Sequence, residues 1–189
     1  MRYLNQINSS GDKMDKKIIT GKIFLAAGLI FAAAFTRLIP HYPNFTAVGA
    51  IALFGGTYLP NKKLAFLVPF LAMLITDAII GFHPTMWAVY LSFAIIVVIG
   101  LQLAKSKKVS NIILAALFSS VLFFVITNFA QWISDPFYAK TGAGLALCFT
   151  MAIPFFTYTA LGDMFYVAVI FGVYELANAK SPFLIRAKI

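Results

Sequence analysis

Apolar runs close to bilayer length alternate with short polar or basic breaks along most of this chain. A membrane-crossing helix needs about 20 consecutive apolar residues. On that basis the pattern predicts helices over 20–39, 45–59, 64–80, 85–104, 109–132 and 159–177. The 45–59 run is short and carries Gly49, Gly55 and Gly56. It must tilt, sit partly re-entrant or be shielded by its neighbours, and its glycines let other backbones approach. The 142–152 stretch is also apolar and short, and Pro154 follows it. It is expected to be a half helix that enters and returns, or the start of a bent sixth helix. Three regions result: a polar tail over 1–19 with a short surface helix near 14–19, one transmembrane helical domain over 20–180, and a basic tail over 181–189.

Composition turns this pattern into a class. Of the 189 residues, 61% are hydrophobic and 11% charged, against roughly 25% charged in soluble domains. The expected fold is all-α, a polytopic membrane protein with six transmembrane helices. The net charge of +9 would suggest nucleic acid as partner of a soluble chain. Here the basic residues gather between apolar runs, as the positive-inside rule expects, so the lipid bilayer is the partner and nucleic acid is not. Lys62, Lys63, Lys105, Lys107, Lys108 and both termini are then cytoplasmic, and the expected location is the inner (plasma) membrane. No small-x-small cleavage site follows the first apolar run, so it is read as a retained helix. Cys148, the one cysteine, is read as a small buried hydrophobe.

This orientation puts a set of polar residues on the outer face: Arg37, His41, Asn44, Asp77, His83, Asn128, Trp132 and Asp163, with Gln131 and Asp135. Polar groups in membrane segments are expensive and usually face the bundle interior or a water-filled cavity. Arg37 is the cationic partner for Asp77 or Asp163, as a structural latch or as the wall of a ligand pocket. Asn44 or Thr46 is expected to cap the second helix. Asn128 and Trp132 lie one helical turn apart, an amide and an indole suited to a ring-bearing ligand, although an indole at headgroup level is ordinary. His41 and His83 with a carboxylate could form an N/O metal site, but their spacing matches no metal motif, and no metal or cofactor is assigned. HExxH, Walker A and dinucleotide fingerprints are absent. Ser92, Ser119 and Ser120 are placed in apolar runs away from the polar rim, so no Ser–His–Asp assembly is expected. A hydrolase built from His83, Asp77 and a threonine stays a minor alternative, and the chain is read as not an enzyme.

Four segments carry a resemblance: RLIPHYPNFTAVGAIALFGG, ITDAIIGFHPT, ITNFAQW and AIPFFTYTALGDMFY. They resemble an uncharacterised bacterial integral membrane family (domain of unknown function 6580). That family is similar to the substrate-binding S components of energy-coupling factor vitamin transporters, through an Asp followed by Gly after the third helix (Asp77, Gly81) and a Pro-Phe pair (Pro154, Phe155). The resemblance implies six helices and a pocket near the extracellular face for a small organic molecule such as a vitamin. It also implies a scaffold subunit and two ATPases as partners. S components often carry an AxxxA contact for the scaffold on their first helix, and the nearest match here is Gly28–Ala32. A solitary metal-ion transporter or channel, or a membrane structural protein without ligand, are the other classes that use the same residues.

Overall fold

A computed structural model describes residues 2–180, with side chains placed over 19–179. The basic tail over 181–189 lies outside the described residues. Among the described residues six helices follow one another: α1 (Arg2–Phe35), α2 (Val48–Tyr58), α3 (Lys62–Ile80), α4 (Met86–Leu103), α5 (Val109–Ser134) and α6 (Gly142–Lys180), with a 3-10 turn at Thr36–Leu38 after α1. Five helical stretches are long and apolar enough to cross a membrane, and α2 is a shorter apolar helix. The protein is therefore an all-α, polytopic membrane protein.

The bundle is built around α2. Every residue from Val48 to Thr57 is buried, and α2 touches all five other helices. Its sequence explains this position, because a helix that is apolar all round has no face to offer water. Two glycines set the closest approach. A Cβ on Gly56 would lie 2.2 Å from the Val97 carbonyl oxygen, and one on Gly100 would lie 2.4 Å from that of Leu53. Backbone thus meets backbone where α2 crosses α4, a small-residue contact that membrane helices favour. Thr57 ties the crossing by donating from Oγ1 to the Leu53 carbonyl (2.7 Å) and the Gly100 carbonyl (3.3 Å). Below it, Phe54 and Tyr58 pack edge-on and tilted against Phe171 and Tyr174 of α6.

The helices alternate between two ends. At the lysine end, the Asn61 side chain caps α3 by accepting from the Leu64 N–H at 2.9 Å. There Lys107 also lies 4.6 Å from the centre of the Tyr58 ring, and the Tyr58 hydroxyl donates to Glu175. Arg37, His83 and the α5–α6 turn lie at the other end.

Three features take firmer shape in the structure. The polar 2–19 stretch is helical and continuous with the first apolar run, since α1 begins at Arg2. Of the two forms expected for the 142–152 stretch, the structure takes the second: it is the start of the sixth helix and runs on through 159–177, 39 residues long with Pro154 inside. Proline removes one N–H and disturbs one turn, but leaving the helix within lipid would strand several more backbone groups. The half-length element is instead α2, whose 11 residues rise only about 16 Å. Finally, the Gly28–Ala32 stripe turns away from the bundle. A Cβ on Gly28 would meet no atom within 4 Å, and Ala32 is exposed. Cys148 is buried as expected, its thiol 3.5 Å from the Asn128 carbonyl.

Candidate functional site

Arg37 stands on the 3-10 turn after α1 and reaches the last turn of α3. Its Nη2 lies 2.7 Å from Asp77 Oδ1, with the two side chains 13% and 4% exposed. Nη1 donates to Thr76 Oγ1 at 2.7 Å and contacts the Met73 sulfur at 3.2 Å. Tyr90 of α4 donates its hydroxyl to Asp77 Oδ2 at 2.8 Å. Both carboxylate oxygens and both terminal guanidinium nitrogens therefore have partners. This is what a buried ion pair needs if desolvation is not to exceed its attraction.

Asp163 is the second buried carboxylate, 3% exposed, and its partners are of another kind. Ser120 of α5 donates to Oδ2 at 2.7 Å. The backbone N–H groups of Gly49 and Ala50 also donate to it. Those are the second and third residues of α2, whose N-cap, Ala47, offers no side-chain bond. The first N–H groups of any helix lack internal partners. Asp163 supplies from α6 what a capping side chain normally supplies from the same strand of chain. Neither Asn44 nor Thr46 caps α2, which corrects that expectation. Gly49 is needed at this point, since a Cβ there would lie 2.5 Å from the carboxylate oxygen.

Asp163 also sits deeper than expected. It comes about 32 Å along α6 from Gly142 by helical rise, not near the start of a last helix. Its partner Ser120 lies about 16 Å from the Val109 end of α5 and about 21 Å from the Ser134 end. The N-terminus of α2 therefore ends at mid-depth.

A cavity of about 160 Å³ lies over this N-terminus, and Arg37, Asn44, Asp77, His83 and Asp163 line it together with Thr46, Thr159 and Phe123. Asn44, Phe123 and Thr159 also border a side chamber of about 80 Å³ that includes Asn128. His83 borders a third, more open chamber of about 350 Å³ with Gln131 and Asp135. Asn44 is held in the left-handed region at φ 63°, a conformation asparagine tolerates better than most residues. Its carbonyl accepts from Thr46 N–H at 3.0 Å within the turn that roofs the cavity, and Tyr42 stacks on Tyr158 of α6 at 5.5 Å.

Five of the eight expected residues thus share one chamber and Asn128 joins through the side chamber. His41 and Trp132 border none of these three chambers. His41 is exposed, with Nδ1 2.6 Å from the Ile39 carbonyl, and among the described residues no three His, Cys, Asp or Glu side chains form a metal-holding group. Asn128 spends its amide N–H on the Phe124 carbonyl of its own helix at 2.8 Å. Trp132 staples the α5–α6 turn by donating from Nε1 to the Ala139 carbonyl at 2.9 Å. Lys140 lies 5.8 Å from the centre of the Trp132 ring and donates to the Trp132 and Asp135 carbonyls. Trp132→Phe should accordingly cost about 1 kcal/mol and leave any binding in the cavity unchanged; thermal unfolding and a binding titration on one preparation check both.

Ser120, Thr76 and Tyr90 were not among the expected site residues. Ser120 in particular belongs beside Asp163, at mid-depth below the polar rim. A signal existed for Thr76, next to Asp77 in sequence. None existed for Ser120, which shares its apolar run with Ser119 and differs from it only by its angle around the helix.

No curated protein and no solved structure matches the chain. One family model does, over residues 17–184, described as a family of unknown function. The chain is accordingly a member of that family, DUF6580.

Proposed function

We propose that the protein is a substrate-binding membrane subunit for uptake of a small organic nutrient, held in the cavity over the N-terminus of α2. The observation that carries this reading is the convergence of Arg37, Asn44, Asp77, His83 and Asp163 on one chamber from five separate parts of the chain. A concave chamber with a few convergent polar groups is the usual form of a small-molecule site. Its size constrains the ligand: a cavity of about 150 Å³ holds a molecule the size of benzene. The main chamber suits a fragment of that size, and a larger, vitamin-like molecule would extend into the side chambers past Asn44 or His83. In this reading Arg37 anchors an anionic group and rests on Asp77 when the site is empty. The protein is not an enzyme, sits in the inner membrane with both termini cytoplasmic, and opens its cavity outward. Its likeness to S components suggests a scaffold subunit and ATPases as partners, with the outward-turned Gly28–Ala32 face as the docking stripe.

A second reading has its own observation. The hydrogen bonds of Arg37 and Asp77 are already satisfied, as in a latch that only closes the bundle. Native mass spectrometry of the purified protein, followed by titration with a panel of vitamins and small organic acids, separates the two. The binding reading expects a co-purified molecule, or a panel member bound tighter than ~1 mM. No bound mass and no such panel member leaves the latch. Co-purification of an ATPase module would support the partner assignment, and its absence from cross-linked membranes would count against it.

A further inference from the structure

We propose that Asp163 is the seat of a monovalent-cation site, taking up a proton or a sodium ion from the cavity at mid-depth in the membrane. This shares the chamber with the nutrient reading but rests on a different group. The argument begins with charge. The cavity is lined by one guanidinium and two carboxylates, and the guanidinium is committed to Asp77 at 2.7 Å. Among the described residues Asp163 has no cationic side chain as partner. Its compensation is the Ser120 hydroxyl and the amide groups of Gly49 and Ala50. A helix N-terminus amounts to about half a positive charge, so roughly half a negative charge is left over. At a membrane's mid-depth such a residue is costly, and it is the ordinary mark of an ion or proton pathway.

The donor chemistry narrows the ion. The donors at and around Asp163 are mostly oxygen: its own carboxylate, the Ser120 hydroxyl bonded to it, and the Thr46 and Thr159 side chains elsewhere in the lining of the same cavity. Oxygen donors suit hard cations rather than thiophilic ones. Calcium takes six to eight oxygens, commonly from several carboxylates, and only one carboxylate here is unpaired by a cation. A single charge balances it. The neighbouring elements bring few other titratable groups. α2 faces Asp163 with backbone and α5 with Ser120, while across the cavity stand the Arg37–Asp77 pair and His83. Tyr90 of α4 is bonded to Asp77. The occupant also acts on the fold. Sodium leaves the carboxylate charged and α2 capped, whereas a proton weakens the cap and loosens the helix N-terminus that floors the chamber.

The test uses the full chain in lipid nanodiscs. For sodium, replacing choline by sodium at constant ionic strength should raise Tm by roughly 3–6 °C at ten times the dissociation constant, and Asp163→Asn should abolish the rise. For a proton, infrared spectra at neutral pH should show a carboxylic-acid carbonyl band that disappears as the pH is raised and is absent from Asp163→Asn. Should Asp163→Asn fail to fold, Ser120→Ala keeps the carboxylate and should weaken the sodium response, or shift the pH at which the band disappears, by about tenfold in ion concentration. Wild-type protein with neither a sodium response nor a protonated band overturns the proposal, as do responses that persist unchanged in Asp163→Asn. Neither measurement involves an organic ligand, so failure here leaves the nutrient reading standing, and the reverse also holds.

Discussion

Arg37→Ala should lower the stability of the protein by about 3–5 kcal/mol, the cost of stranding one member of a buried charge pair. In a chain of this length that is a fall in Tm of roughly 10 °C. The loss is large because Asp77 keeps only the Tyr90 hydroxyl once the guanidinium is gone. Thr76 and Met73 lose their contacts at the same time. Arg37→Lys should recover only part of the loss, since an ammonium is a point charge and cannot span the three partners that the planar fork reaches. Removing both charges, as Arg37→Met with Asp77→Leu, should cost much less than Arg37→Ala alone. A thermal-unfolding double-mutant cycle reads the coupling directly. Additive single losses would mean that the two side chains do not hold each other.

The second large effect is expected at the α2–α4 crossing. Gly100→Ala adds a carbon 2.4 Å from the Leu53 carbonyl oxygen, and Gly56→Ala adds one 2.2 Å from that of Val97. No rotamer change relieves a clash between a Cβ and a backbone, so the helices must separate. Overpacking costs typically 1–3 kcal/mol where side chains can adjust; here, with backbone on both sides, the expected loss is at least about 3 kcal/mol, seen as lower Tm and aggregation on size-exclusion chromatography. Gly28→Ala is the contrasting substitution. Its Cβ meets no atom within 4 Å, and alanine favours helix over glycine by about 0.8–1.0 kcal/mol. It should be neutral or stabilising. Equal losses at Gly100 and Gly28 would show that the crossing is not held as described.

The helices were largely legible in the sequence because lipid-facing segments must be apolar over a fixed length, and the lysine-rich turns punctuate them. Pro154 misled because proline is a stop signal in water, where freed backbone groups find solvent. In an apolar surround, continuing the helix is cheaper. Half of the site was legible as well. Arg37 and Asp77 are opposite charges in apolar runs, and each advertises its need for the other. Asp163 advertised the same need, yet its partners are the amide groups of Gly49 and Ala50 and the Ser120 hydroxyl, which no side-chain pattern reveals. Trp132 shows the converse. Its one-turn spacing from Asn128 suggested a shared task, but the indole closes a turn and the amide bonds its own helix.

The shortness of α2 has an electrical consequence. A unit charge carried through the whole of a 100 mV membrane potential changes energy by about 2.3 kcal/mol. If the cavity opens outward as proposed and fills with water, the conducting phase reaches down to Gly49, and the potential would fall mainly across the low-dielectric half that the 11 residues of α2 occupy. The field there is about twice that across an unbroken bilayer of about 30 Å. Its upper boundary lies at Asp163. Any charge that moved between Asp163 and the Tyr58 end would therefore cross most of the voltage in about half the distance, making this half of the bundle the voltage-sensitive one.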